Sequence, residues 1–280
     1  MNQMKAAFII LLTTWVLPLM AEDKPWANPR KYTVRAPKNY DPNNKKYPLI
    51  ISLHGFTGNG QAQRLFFPLA DLADKHGFMY SYPSGIGASW NATNACCDWA
   101  GREDDSTYLR RFIEWAMERY PIDPKRIYFT GLSNGGFMSY RMAMDHSDLV
   151  AAIAPVAGVG YKKWPRQPKH PVSVLHIHGT KDRVIRWAGG SIFTARYPGA
   201  EENYENWRKF NQCDKEVDTS KDKIDLARVP GKETSVKRYT NKDGSVVTEL
   251  WRVENGGHVT PPSKEARERI VKWLLARSKK

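Results

Sequence analysis

Apolar residues fall along this chain in two rhythms. Short unbroken runs at 48–53, 78–82, 126–130, 149–156 and 172–178 have the length and composition of strands buried on both faces. Between them lie stretches with apolar residues three or four apart. Leu65, Leu69, Leu72 and Ala73 share one face of a helix expected over 61–76. Leu109, Phe112, Ile113, Ala116 and Tyr120 form the stripe of a second, capped by Asp104 or Asp105. Residues 137–144 predict a third helix, 201–210 an aromatic-rich fourth, and 263–277 a last one with Ile270, Val271, Leu274 and Leu275 inward. An edge strand is expected at 32–34, two late strands around the turn 241–244, and an exposed polar connection over 214–234. Strands alternating with helices predict one α/β domain: a mostly parallel central sheet with helices on both faces, a three-layer sandwich.

The first residues depart from that pattern. Lys5 precedes an apolar run over 6–20, broken by Thr13, Thr14 and Pro18, and Leu19-Met20-Ala21 suits cleavage before Glu22. This predicts a signal peptide over 1–21, a secreted or periplasmic mature chain over 22–280, and no stable membrane insertion. The net charge of +14 would suit anionic partners such as acidic polysaccharide or envelope polymers, but a solvated basic surface is the expectation. The cations are scattered and no nucleic-acid motif accompanies them, so nucleic acid is not an expected partner. Oligomeric state is not legible. In an oxidising compartment the expected bridge joins the Cys96–Cys97 pair to Cys213, with a vicinal 96–97 bridge as the alternative. His176 and His178 alternate along one strand and share a face, but no third metal ligand accompanies them. Partly buried strand histidines are expected instead, and no metal.

The candidate chemistry sits where strands end. Gly131-Leu132-Ser133-Asn134-Gly135 follows the strand 126–130 and opens the helix 137–144, the setting of a nucleophile elbow. The glycines two positions either side of Ser133 let strand and helix pass closely. Asp182 lies in the loop after the strand 172–178, and His258 follows Gly256 and Gly257 behind the last strand. The order Ser, Asp, His is that of the α/β-hydrolase fold, and open α/β sheets place ligands at these strand ends. Ser133 is then the expected nucleophile, His258 its base, and Asp182 the group orienting the imidazole. Backbone N–H groups of Asn134 and Phe56 are expected to form the oxyanion hole, with Thr57 as an alternative to Phe56. His54 is expected to shape its loop rather than act as a base. Trp90, Trp99 and Trp187 are candidate pocket walls, and the irregular stretch 86–101 a candidate specificity loop. No cofactor is expected.

Taken together, the motifs Leu53-His54-Gly55-Phe56, Cys96-Cys97-Asp98, Asp104-Asp105, Gly131 to Gly136, His178-Gly179-Thr180-Lys181-Asp182 and Gly256-Gly257-His258 are recognisable in their order. The chain resembles the α/β-hydrolase esterases that include polyhydroxybutyrate depolymerases and feruloyl and acetylxylan esterases. The resemblance implies Ser133, Asp182 and His258 as the triad, the same set that chain order gives. It also implies a serine ester hydrolase acting on small, polysaccharide-linked or polyester substrates. Relatives often carry further cysteines where this chain has Met144 and Asn241. Some fungal feruloyl esterases flank serine and histidine with bonded cysteines; Leu132 and Gly257 stand there and exclude that subgroup. An appended polymer-binding domain is not expected. Two rival functions remain at this level: an exported serine peptidase of the same fold, and a catalytically idle carbohydrate- or envelope-binding protein.

Overall fold

The computed structural model describes residues 30, 32–43, 45–97, 103–226, 231 and 233–280, so the predicted signal peptide and Trp99 lie outside the described residues. Strand β1 (Tyr47–Leu53) is buried at every position, as its unbroken apolar run requires. The single helix expected over 61–76 is two, α1 (Gly60–Phe66) and α2 (Ala70–His76). Pro68 stands in the break, where it has no N–H to continue a helix and pushes Phe67 out of the helical region. β2 (Met79–Ser81) follows. The edge strand expected at 32–34 is reduced to one antiparallel bridge, Arg35 with Tyr80. Pro37, two residues on, cannot donate to a longer ladder.

α3 (Asp105–Arg119) is capped by the Asp104 side chain, which accepts from the Thr107 N–H. β3 (Ile122–Leu132) then runs into α4 (Asn134–Asp145), and β4 (Ala152–Val156) and β5 (Ser173–Gly179) follow. A small hairpin not expected from the sequence, β6 (Gly190–Ile192) and β7 (Ala195–Tyr197), precedes α5 (Ala200–Phe210). The polar stretch expected to be a plain connection carries two short strands, β8 (Lys215–Val217) and β9 (Lys223–Ile224). Both pair with β10 (Thr234–Thr240), whose other neighbour is β11 (Val247–Val253). α6 (Lys264–Leu275) closes the fold.

The main sheet has the order β2-β1-β3-β4-β5-β11-β10-β8, with β9 also on β10. From β2 through β11 every pairing is parallel; β10 and β8 make an antiparallel edge. Alternate residues of the central strands enter two different cores. Leu49, Ile51, Ile127 and Phe129 pack with α3, α4 and Trp207 of α5. Ile50, Tyr128, Ala152 and Leu175 pack with α2 and α6 on the opposite face. This is the expected three-layer sandwich of an α/β-hydrolase fold, and it leaves the carboxyl ends of β1, β3, β5 and β11 together at one rim.

The expected bridge from Cys96–Cys97 to Cys213 does not form. Cys96 and Cys97 are joined to each other, and Cys213 is a buried free thiol. Cys213 packs against Thr248 and Val246 at the start of β11, whereas Cys96 contacts Asn134 at the finish of β3. The two sites lie at opposite ends of a parallel sheet, beyond the reach of one disulfide.

Candidate functional site

Ser133 stands between β3 and α4 with φ 54° and ψ −115°, a left-handed backbone that few non-glycine residues adopt. The conformation is forced by how closely strand and helix pass. A Cβ on Gly131 would lie 2.6 Å from the Gly135 carbonyl carbon, and one on Gly135 would lie 2.1 Å from the Leu53 oxygen. Only glycine fits either place, and the hydroxyl between them is thrust above the sheet.

The structure brings the three expected side chains together. His258 Nδ1 lies 2.8 Å from Asp182 Oδ2, and His258 Nε2 lies 2.9 Å from Ser133 Oγ. A carboxylate only accepts, so Nδ1 carries the proton, and Nε2 is left to accept from the hydroxyl. Asp182 is buried, and its other oxygen accepts the backbone N–H groups of Val184 at 2.8 Å and Ile185 at 2.9 Å. Burial raises the affinity of this carboxyl for a proton, but hydrogen bonds from His178 and His258 outweigh it and hold the group well below its ordinary range.

His178 is the partner that sequence reasoning passed over. Its Nε2–H donates to the Ile185 carbonyl at 2.7 Å and lies 3.4 Å from Asp182 Oδ2. It thus braces both the acid and the turn that follows. The signal available was its place four residues before Asp182, across the Gly179-Thr180 turn. His176, its neighbour on the same face, is fully buried and shares a 2.9 Å bond with the Tyr140 hydroxyl. No group of three metal-ligating side chains occurs among the described residues.

The expected oxyanion donors flank the serine. Asn134 is the first residue of α4, so the helix leaves its N–H unbonded and adds the positive end of its dipole. The loop of His54, Gly55 and Phe56 passes alongside, where a Cβ on Gly55 would lie 3.6 Å from Ser133 Cβ. His54 shapes this loop as expected. Its Nδ1 donates to the Gly55 carbonyl at 2.8 Å and its Nε2 accepts the Gly85 N–H at 2.9 Å. Burial lowers its proton affinity, which keeps that neutral tautomer.

The three tryptophans separate. Trp90 is fully buried rather than on an open wall. Its indole N–H donates to the His54 carbonyl, and its peptide is clamped by the Asn134 amide through bonds of 2.8 and 2.9 Å. It therefore pins the loop of His54 and Gly55 to the helix start instead of lining a pocket. Trp187 is half-buried beside the Asp182 loop, edge-on to His178 and under the Arg252 guanidinium. Below His258 lies a cavity of only about 10 Å³, the size of one water. Above it, Phe56, Val184 and Val259 are exposed apolar side chains, each within two residues of a member of the site.

The family described as "Putative esterase" matches residues 26–227. Feruloyl esterase B of Piromyces equi is 29% identical over 259 residues, covering 88% of this chain and 46% of that protein. Poly(3-hydroxyalkanoate) depolymerase C of Paucimonas lemoignei is 27% identical over 239 residues, covering 76% of this chain and 55% of that one. The bifunctional acetylxylan esterase/xylanase XynS20E of Neocallimastix patriciarum is 31% identical, covering 68% of this chain and 25% of its own. The chain thus spans between a quarter and just over half the length of these relatives. Among solved structures, an acetyl xylan esterase from Aspergillus awamori superimposes with a TM-score of 0.59 at 17% identity, over 86% of this chain and 92% of that one. At that identity the likeness speaks for the fold.

Proposed function

The chain belongs to the esterase family, and we propose that it hydrolyses carboxylic esters through Ser133, His258 and Asp182. The observation that carries this reading is the hydrogen-bonded line from Asp182 through His258 to the Ser133 hydroxyl. Ser133 Oγ attacks the ester carbonyl while its proton passes to His258 Nε2. The imidazolium so formed keeps its Nδ1–H on Asp182, a carboxylate held ionised for that purpose. The carbonyl oxygen, now an anion, takes the N–H groups of Asn134 and Phe56. Collapse breaks the bond to the alcohol, which leaves with the proton from Nε2, and the acyl group stays on Ser133. Water then gives its proton to His258 and attacks the acyl-enzyme, releasing the acid and returning the proton to Oγ. The cycle calls for no cofactor.

The exposed Phe56, Val184 and Val259 suit an apolar or aromatic acyl group lying across the mouth. The relatives' names supply three classes to compare: feruloyl, acetyl-xylan and hydroxyalkanoate esters. The apolar run over 6–20 supports an exported enzyme with its catalytic domain over 22–280. No helix among the described residues is long and apolar enough to cross a membrane.

Ser133→Ala tests the reading. Turnover of p-nitrophenyl acetate should fall on the order of 10⁴-fold or more, and a fluorophosphonate probe should no longer label the protein. Turnover kept within tenfold of the parent would sink it. Methyl ferulate, acetylated xylan and a hydroxybutyrate oligomer, assayed side by side, should then rank the ester classes.

A further inference from the structure

The connection from β4 to β5 begins against the nucleophile and ends at the other side of the sheet. A Cβ on Gly158 would lie 2.4 Å from the Ser133 carbonyl oxygen, and Val172 is bonded to Asn211 just before β5 begins. Along that descent lies an open groove of about 350 Å³, lined by Lys162, Trp164, Gln167, Asn206, Lys209 and Phe210. Its floor is aromatic and braced from behind. The Trp164 ring sits 4.9 Å from the buried Trp207 and 5.6 Å from Phe210. The Trp164 indole N–H is covered and has no protein partner among the described residues.

The rim is of one electrical kind. Lys162 and Lys209 supply ammonium groups, Gln167 and Asn206 supply amides, and no carboxylate lines the groove. Lys163, Arg166 and Lys169 are exposed on the same connection. Lys162 is paired with Glu202, an exposed pair that a ligand carboxylate readily replaces, whereas Arg166 reaches down to the largely buried carboxylate of Asp145. The ammonium groups of Lys163, Lys169 and Lys209 have no acidic partner among the described residues.

We propose that this groove binds an acidic polysaccharide, one whose chain carries uronate residues. The apolar face of a pyranose ring covers Trp164, its hydroxyls reach Gln167 and Asn206, and neighbouring carboxylates pair with Lys209 and Lys163. An aromatic floor alone would hold any flat apolar ring; the single-signed rim makes an anionic chain the matching occupant. Six residues separate Gly158 from Trp164, so the floor lies within ~21 Å of the elbow even with that segment fully extended. A polymer held there stays within reach of the ester-cleaving mouth. The choice of polysaccharide over nucleic acid rests on the esterase reading above; the charge and shape of the groove do not.

Affinity electrophoresis of the full chain through gels holding polygalacturonate or neutral arabinoxylan tests this. Polygalacturonate should retard the protein, arabinoxylan should do so far less, and 0.5 M salt should abolish the difference, since it screens exposed charges within about 4 Å. The triple variant Lys163→Glu, Lys169→Glu, Lys209→Glu should bind polygalacturonate about tenfold or more weakly. Trp164→Ala, which removes the floor, should weaken it by a similar factor; Asn206→Asp should weaken it less and serves if Trp164→Ala fails to fold. Turnover of p-nitrophenyl acetate should be unchanged in each. A parent protein retarded by polygalacturonate that hydrolyses no ester would instead count against the proposed catalysis alone. Unchanged retardation of the triple variant, equal retardation by neutral arabinoxylan, or tighter binding of a single-stranded oligonucleotide would each overturn the proposal.

Discussion

Two buried carboxylates in this molecule are almost equally well supplied with donors, yet they serve different ends. Glu249, in the middle of β11, accepts from the indole N–H groups of Trp251 at 2.6 Å and Trp273 at 2.8 Å, and from Arg238 at 2.5 and 3.2 Å. Asp182 accepts from Val184, Ile185 and His258, with His178 beside it. The Glu249 network is closed: its donors are fixed charges and indoles that join α6 to the antiparallel edge. The Asp182 network is open at one end, because His258 passes the bond on to a hydroxyl at the surface. Burial and saturation therefore do not mark a catalytic acid. What marks it is a titratable partner whose other side faces the reacting atoms.

The comparison breaks most sharply under amide substitution. Asp182→Asn keeps the shape but offers His258 a donor or an uncharged acceptor, so the imidazole loses its tautomer and its counter-charge. Turnover of a soluble ester should fall about 10³- to 10⁴-fold, a far larger effect than the loss of the carboxylate's charge has on the melting temperature. Glu249→Ala should do the reverse. It leaves two buried indole N–H groups and the Arg238 guanidinium without their acceptor, at a cost of about 3 kcal/mol. For a domain of this size that is roughly 6–12 °C in melting temperature, read by calorimetry, with turnover at 25 °C unchanged. An Asp182→Asn variant that melts early but hydrolyses well would erase the distinction.

His178 tests the comparison more finely, because it belongs to the open network without touching substrate. His178→Asn removes a donor that keeps Asp182 ionised. One hydrogen bond to a charged group is worth roughly 10- to 100-fold, so kcat should fall by that factor with KM unchanged. The acid limb of the pH profile should also move to higher pH, since the carboxyl would hold its proton more readily. His178→Gln, which restores a donor, should recover part of the loss. A drop in stability with neither kinetic change would make His178 a packing residue only.

Much of this was legible in the chain, for identifiable reasons. The strand–turn–helix around Ser133 is a short-range feature, so Gly131 and Gly135 announce it directly. The strand-end loops holding Asp182 and His258 follow from the parallel sheet that the apolar runs predict. What failed depends on distant contacts. Three cysteines give no measure of which end of the sheet each reaches, so the sequence alone pairs Cys213 with a partner it never approaches. Trp90 reads as a pocket wall until the Asn134 clamp is seen. β8 and β9 have too little apolar character to predict, because β10 supplies the ladder that holds them. The split between α1 and α2 is a different case: Pro68 was visible in the sequence and outweighed by the apolar stripe on either side.

The smallest expected effect concerns pH, and it separates the two kinds of buried group by the window in which each acts. His54 and His176 are buried with proton affinities lowered chiefly by desolvation, so the folded protein binds fewer protons there than the unfolded chain. Stability should therefore rise with pH across the unfolded histidine pKa of about 6.5 and be lost below it, by at most about 1.4 kcal/mol per pH unit for each histidine. Asp182 acts with the same sign in a lower window. Its affinity is also lowered, but it is charged when folded, so its contribution is full above the unfolded carboxyl pKa of about 3.9 and is lost only as pH falls through its lower folded value. Urea midpoints measured from pH 8 to pH 5 should thus step down as pH falls below about 6.5, a step that His54→Asn makes shallower and Asp182→Asn leaves alone. A step unchanged in His54→Asn would mean that this imidazole is charged in the folded protein. The neutral tautomer joining Gly55 to Gly85, and with it the fixed placement of the oxyanion loop, would then be wrong.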